Sequence, residues 1–430
     1  MTDVSRSVSF EDVPRRRDSL LDLWARKLVL RLCRRITAGH VTIVDPLGRS
    51  ACGVPDDSSS MSACVRIHDL GVYRSLAFGG SNALFEAYMD GRWTCDDVVA
   101  LVRIFVRSPD CMNATDGGLA RFATAAHAFL RNLLPNSRGR ARAHIAAHYD
   151  LGNDFFRLFL DETMTYSAGI FESPETTLRE ASIAKIDRLC RKLTLKPDDN
   201  IVEIGSGWGA LELHAAGNSS CRVTTTTISR EQFEWTRRRV DEAGLAHRVT
   251  VLKKDYRDLE GRFDKLVSVE MIEAVGRHHF DTFFRTCAQL LKPDGLMALQ
   301  AIVISDQAYE TARKTCDFIK KYIFPGSCIP SVTKMMDCVS RVTDFRPAGL
   351  EELTPHYART LREWRRNFLT NLPAIRALGY PERFLRAWEL YFCYCEGGFE
   401  ERYIGSVQLL LAKPLHRSDR GTTALPHWSC

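Results

Sequence analysis

No stretch of the 430-residue sequence approaches the roughly 20 uninterrupted apolar residues that a membrane-spanning helix needs. The N-terminus lacks the hydrophobic core and cleavage site of a secretory signal. A soluble or membrane-peripheral cytoplasmic protein is expected. The 14 cysteines show no paired CxxC spacing and no histidine-rich partner segment, which argues against a structural zinc site and a secreted disulfide framework. Cys393 and Cys395 stand too close for an ordinary bridge, and no metal is expected. No internal repeat is evident. An acid is also missing where a nicotinamide-binding fold needs one: the run TTTTISREQ reaches no carboxylate until Glu231.

What is present begins with charge. The net charge of +6 is modest and no nucleic-acid partner is expected, but Arg15, Arg16, Arg17, Arg26, Lys27, Arg31, Arg34 and Arg35 crowd one end. Between them Leu21, Trp24, Ala25, Leu28, Leu32 and Ile36 recur at helical spacing. Such a basic amphipathic helix suits either a lipid headgroup layer or packing on its own domain.

The length suggests two domains. Residues 45–62 read as a loop and 134–144 as a linker, so the domains are placed at 1–140 and 141–430. The first carries a short strand signal near VRIHDLG and helical periodicity through Leu84, Tyr88 and Val98 to Phe105. The second alternates β-branched runs (IVEIG, CRVTTTTI, RVTVLKKD, DKLVSVE, LMALQAIVI) with helical stretches, and ends in GSVQLLLAKP. This pattern predicts an α/β fold, a doubly wound, mostly parallel sheet.

In IVEIGSGWGALELHAA a strand runs into Gly205, Gly207 and Gly209 and then a helix, which lets backbone approach a nucleotide closely. The GxGxG spacing, with Glu203 just before it, resembles the first motif of S-adenosylmethionine-dependent methyltransferases. On that resemblance the three glycines accommodate the cofactor's amino-acid end, Thr227 and Gln232 read ribose hydroxyls, and Asp255 with Tyr256 borders the adenine. Asp255 as a helix cap is the plainer alternative.

Flanking segments narrow the resemblance. AHYDLGNDFFRLFLDETMTYSAGIF (147–171), VEIGSGWG, TTISREQ, VSVEMIEAVG (267–276), KYIFPGSCIPSV (321–332), HYARTLREW (356–364) and FCYCEGGFEERYIGSVQLLLAKP resemble the cyclopropane-fatty-acyl-phospholipid synthases and mycolic acid cyclopropane synthases. EAYMDGRWTCDD (86–97) looks like the N-terminal lipid-binding domain of the bacterial synthases. The family resemblance implies a Rossmann-like methyltransferase with a smaller N-terminal α/β lipid-binding and dimerisation-type domain, hence an expected homodimer. It also implies methyl transfer from S-adenosylmethionine to a cis double bond of an acyl chain, commonly in a membrane phospholipid.

An alkene is a weak nucleophile, so the work falls on aligning the methyl group and stabilising a carbocation, for which aromatic faces are suited. Tyr149 and Tyr166 stand out among Phe155, Phe156, Phe171 and Trp208, and by resemblance Tyr166 and Ser167 contact the cofactor. The resemblance further implies a bound bicarbonate as base, caged by Glu273, Tyr357 and the backbone of Ala168 and Ile302. Two side chains depart from the pattern: Ala168 stands where cysteine is usual, and Gln300 where the histidine of an LHTI motif is expected. Glu270 replaces a glycine and Ala274 a histidine. Gln300 donates a hydrogen bond but does not titrate, so bicarbonate is expected to be held less firmly or by other groups. A cyclopropane is the expected product, and the altered base position makes a methylene- or methyl-branched chain the alternative. Cys395 matches a family cysteine once considered functional and reads better as packing. A nicotinamide oxidoreductase, a small-amine methyltransferase and a non-catalytic lipid-binding relative are the other readings.

Overall fold

A computed structural model describes residues 19–54, 61–111 and 152–417. The interdomain boundary placed near 140, the linker 134–144, Arg15–Arg17 and Tyr149 lie outside the described residues.

The N-terminal part folds around a four-stranded sheet of β1 (His40–Asp45), β2 (Gly48–Gly53), β3 (Ser62–Ile67) and β4 (Trp93–Cys95), in the order β2-β1-β3-β4. β1 and β3 pair in parallel and the other pairs are antiparallel. The structure corrects one expectation here: β2 lies inside the segment read as a loop. Asp45 accepts a hydrogen bond from the Leu47 amide and Gly48 takes φ +131, so DPLG is a hairpin turn rather than the start of a long loop.

The helix Leu20–Cys33 starts at a Ser19–Asp22 capping box. It docks through Arg26, whose Nε lies 2.6 Å from the buried Asp45 carboxylate, which also accepts from Tyr73 at 2.6 Å. The face it buries carries Asp22, Ala25, Val29 and Cys33. Leu21 and Trp24, two of the apolar residues that recur at helical spacing, are exposed together with Leu20, 86% accessible. One face packs, and another presents apolar side chains beside exposed Lys27 and Arg31.

The C-terminal part is built on a seven-stranded sheet: β5 (Asn200–Ile204), β6 (Arg222–Thr227), β7 (Val249–Lys253), β8 (Phe263–Val269), β9 (Leu291–Ile304), β10 (Arg346–Glu352) and β11 (Ile404–Ala412). Its order is β10-β11-β9-β8-β5-β6-β7. β7-β6-β5-β8-β9 are parallel, and β11 and β10 close the sheet antiparallel. The central strands are apolar on both faces because helices cover both. β10, RPAGLEE, is an exposed edge strand with charged residues and a proline, the composition that blunts an edge and hides it from a hydrophobicity reading.

The two parts share an aromatic core. The helix Glu382–Glu400 packs against the N-terminal helix Val98–Val106 so closely that a Cβ at Gly397 would lie 2.8 Å from Val102. The same helix sends Trp388 onto Phe155 at a centroid distance of 4.8 Å.

Candidate active site

Four parallel strands end at one edge of the sheet, and each delivers a segment singled out in the sequence. β5 ends in the glycine loop, β6 in Thr227, β7 before Asp255 and β8 at Glu270. This carboxyl edge is where wound α/β sheets bind ligands. The loop amides of Gly205 and Ser206 both bond the Thr226 carbonyl at 3.0 Å, tying the loop to β6.

All three loop glycines have positive φ (+100, +52 and +94 at 205, 207 and 209). They differ in what surrounds them. A Cβ at Gly205 would meet Met271 at 3.2 Å and one at Gly209 would meet Thr236 at 3.2 Å, whereas at Gly207 no protein atom lies within 4 Å. Gly205 and Gly209 serve packing, and Gly209 heads the helix Ala210–Ser219; Gly207 leaves its space to a ligand.

One cavity gathers Tyr166, Ser167, Glu203, Gly205, Gly207, Thr227, Gln232, Asp255, Tyr256 and Glu270. Thr227 donates to Gln232 Oε1 at 2.8 Å, which orients the amide. Asp255 does cap the 3-10 turn Tyr256–Asp258, accepting from the Arg257 amide at 3.0 Å, and it pairs with the Arg257 guanidinium at 2.6 Å. The cap and the cavity wall are the same residue. Glu203 accepts from Thr225 at 2.7 Å, and burial pushes its carboxyl up to about 7. This donor set, with open backbone at Gly207, fits S-adenosylmethionine.

Tyr166 stands in an aromatic box, 5.1 Å from Trp364 and 5.3 Å from Phe156 between centroids, and donates to the Tyr391 hydroxyl at 3.1 Å. Trp208, held by Asn153 at 2.7 Å, packs on Phe156 at 4.8 Å and lines the cavity. Phe155 and Phe156 are fully buried core residues. Cys395 sits on the helix Glu382–Glu400 among apolar residues, away from the cavity lining, and burial raises its thiol above the ordinary range. That is a packing environment, not that of a reactive thiolate.

The groups expected to cage bicarbonate do converge, but on the chain's own carboxylates. Glu270 Oε1 accepts from the Ala168 amide at 3.0 Å and from Gln300 Nε2 at 2.9 Å; Glu270 Oε2 accepts from the Tyr357 hydroxyl at 2.6 Å. The Ile302 amide donates to Glu273 Oε1 at 2.5 Å. Tyr357, Gln300 and the amides of Ala168 and Ile302 are thereby engaged by the chain's own carboxylates.

Gln300 is aligned from behind. Gln408, its cross-strand partner, donates to Gln300 Oε1 at 3.0 Å, and Lys192 donates to Gln408 at 2.6 Å. Gln300 Nε2 is left pointing at Glu270.

The two carboxyl groups are unequal. Glu270 has three donors and the buried Lys185, whose ammonium is lowered to about 8 by burial. Glu273 has one donor, and its Oε2 is buried with no partner. Burial first, then the Glu270 charge, push Glu273 up to about 8; burial also raises Glu270, against the pull of its donors. Glu273 therefore holds its proton to a higher pH than an ordinary carboxyl, while the donors around Glu270 favour its ionised form. Glu273 is placed from the other side by its own carbonyl, which accepts from Cys328 at 2.8 Å.

Lys185 was missed from sequence. It lies on the helix Leu178–Leu193, lines the cavity and donates to Ser167 at 3.0 Å. Among the arginines and lysines of that helix it reads as one more solvated charge; only its place in the buried register, with Ala181, Ser182 and Leu189, sets it apart.

Comparison with known proteins agrees with this geometry. Residues 136–409 match the family model of mycolic acid cyclopropane synthetase. The tuberculostearic acid methyltransferase of Mycobacterium tuberculosis is 38% identical over 76% of this chain and 78% of its own. The cyclopropane-fatty-acyl-phospholipid synthase of Escherichia coli is 35% identical over 83% of this chain and 89% of its own. A solved mycolic acid cyclopropane synthase complexed with SAH and CTAB superposes with a TM-score of 0.60 at 33% identity, covering 63% of this chain and 98% of that one. The chain belongs to the mycolic acid cyclopropane synthetase family and is an S-adenosylmethionine-dependent methyltransferase.

Proposed function

We propose that this protein transfers a methyl group to the cis double bond of an unsaturated fatty acyl chain in a membrane phospholipid, and that the product is a cyclopropane fatty acid. The observation that carries the reading is the aromatic box around Tyr166 adjoining a carboxylate at the same cavity. An alkene that gains a methyl cation becomes a carbocation, and this site offers aromatic faces to stabilise it and an acceptor for its proton.

S-adenosylmethionine, when bound, supplies an electrophilic methyl on a sulfonium. The glycine loop admits its amino-acid end, Thr227 and Gln232 address the ribose, and Asp255 and Tyr256 border the base. Tyr166, Trp364, Phe156 and Trp208 exclude water, which would otherwise trap the cation as an alcohol.

A second reading, a methylene- or methyl-branched chain, has its own support: the relative at 38% identity is named for tuberculostearic acid. The cyclopropane and the methylene branch descend from one cation, and a methyl branch follows from the methylene only with a separate hydride donor.

The protein reaches its lipid as a peripheral membrane protein. Leu20, Leu21 and Trp24 are exposed next to Lys27 and Arg31, an apolar edge with a basic flank, and no described helix is long and apolar enough to cross a membrane. Residues 1–140 form the lipid-binding and dimerising domain in this reading, and residues 141–430 the methyltransferase.

The test is mass spectrometry of lipids from cells that express the protein and are fed methyl-labelled methionine. Acyl chains heavier by one labelled CH2 are expected. If they resist ozonolysis at the new carbon the product is a cyclopropane, and if they are cleaved there it is a methylene branch. Absence of any labelled acyl chain contradicts the proposal.

A further inference from the structure

We propose that Glu270 is the base that takes the proton from the methylated acyl cation, so that this chain carries within its own sequence the carboxylate expected from bicarbonate. The inference rests on the methyl-transfer reading above and deepens it.

Three independent observations converge on Glu270. Its two oxygens already receive Ala168 N–H, Gln300 Nε2 and Tyr357 OH, the donors that would orient a planar oxyanion, at 2.6 to 3.0 Å. Its backbone is in the left-handed region at φ +51, where glycine is the favoured residue. A glutamate at such a position points to a role for its side chain rather than for its backbone. Of the two glutamates it is also Glu270, not Glu273, that lines the cavity shared with the glycine loop and Tyr166.

Gln300 fits this assignment. Its oxygen accepts from Gln408, so its NH2 faces the carboxylate as a fixed neutral donor. Lys185 lines the same cavity and its charge favours an ionised Glu270. Glu273 backs the site as a neutral carboxylic acid.

The step balances within the site. A C–H bond of the newly added methyl breaks and its proton bonds to a Glu270 oxygen. The electron pair left behind joins the methyl carbon to the cationic carbon and closes the three-membered ring. Where a hydride has first moved from the methylated carbon to its neighbour, the same proton loss leaves a methylene branch. No oxidant or reductant enters in either case.

Two measurements test this on the full-length protein. The first is the NMR linewidth of 13C-bicarbonate with wild type and with Glu270→Gly. The variant relieves the strained backbone and opens the cage, so broadening is expected with the variant and not with wild type. Equal broadening with wild type overturns the proposal, whether or not turnover has been found. The second is methyl transfer to dioleoylphosphatidylglycerol vesicles in CO2-free buffer, with and without added bicarbonate. Wild type should be indifferent, and Glu270→Gly should lose product and recover it with bicarbonate. Glu270→Gln should lose about 100-fold or more in rate while binding S-adenosylhomocysteine as wild type does, which shows that it is folded. A wild-type rate that collapses without CO2, or full activity in Glu270→Gln, overturns the assignment. A wild type that labels no lipid in any buffer instead removes the methyl-transfer reading, and the linewidths still decide the fate of the anion.

Discussion

Glu270 and Glu273 were both legible as acids at the end of a core strand, but their roles were not. Sequence marks Glu273 as the expected cage member and Glu270 as an oddity in place of a glycine. Only the fold shows the oddity meeting these donors, because Ala168, Gln300 and Tyr357 lie 102, 30 and 87 positions from Glu270 along the chain. The pair makes opposite predictions on substitution. Glu273→Gln imitates the protonated acid already present and should leave methyl transfer within about 5-fold of wild type, while Glu270→Gln removes the base and falls about 100-fold or further. Equal losses in the two variants would contradict the division of roles.

Protonation gives a second handle at this scale. Activity requires ionised Glu270, which faces Lys185, Tyr357 and the acid of Glu273. Since burial raises Glu270, turnover should fall on the acid side at a pH above the usual carboxylate range; a pH–rate profile flat down to pH ~4 contradicts this. Glu273 acts on stability. Its folded form holds a proton up to about 8, whereas an unfolded glutamate releases it near ~4.3, so the folded state loses relative stability as pH rises between them. Glu273→Gln has no such slope. Its melting temperature should match wild type near pH ~4 and exceed it increasingly towards pH ~8; parallel curves would show that Glu273 titrates normally.

At the scale of elements, strands with β-branched runs were read correctly in order and kind, and the helix Thr354–Thr370 delivers Tyr357 as HYARTLREW implied. What escaped was shaped by exposure. β2 and the edge strand β10 have few buried side chains to set an alternating pattern, and a proline and charges suit β10 to its edge. The N-terminal helix shows the limit of periodicity from the other side. Its apolar residues cover more than one face, and the buried Arg26–Asp45–Tyr73 contact decides which face packs. The glycine loop permits a sharper prediction. Gly207 has φ +52 and empty space where its Cβ would stand, so Gly207→Val should fold yet weaken S-adenosylhomocysteine binding by about 10-fold or more, or ~1.4 kcal/mol. Unchanged affinity in calorimetry would place the cofactor elsewhere.

The whole molecule joins an N-terminal part with an exposed apolar helix edge to the methyltransferase sheet. The N-terminal sheet and its helices share a continuous core with the aromatic cluster of the methyltransferase part through the helix Glu382–Glu400. An exposed Leu20–Leu21–Trp24 edge at one end is consistent with work at a bilayer surface. Trp24→Glu with Leu21→Glu should reduce co-sedimentation with anionic vesicles and spare the melting temperature, since both positions are exposed; equal sedimentation would move the membrane contact to another surface. The central claim concerns what the joined parts do together. Its most direct measurement is mass spectrometry after purified protein is incubated with methyl-labelled S-adenosylmethionine and vesicles carrying cis-unsaturated acyl chains. Labelled CH2 at the former double bond, absent with saturated chains, is the predicted result; S-adenosylmethionine binding without any label in the acyl chains would contradict it.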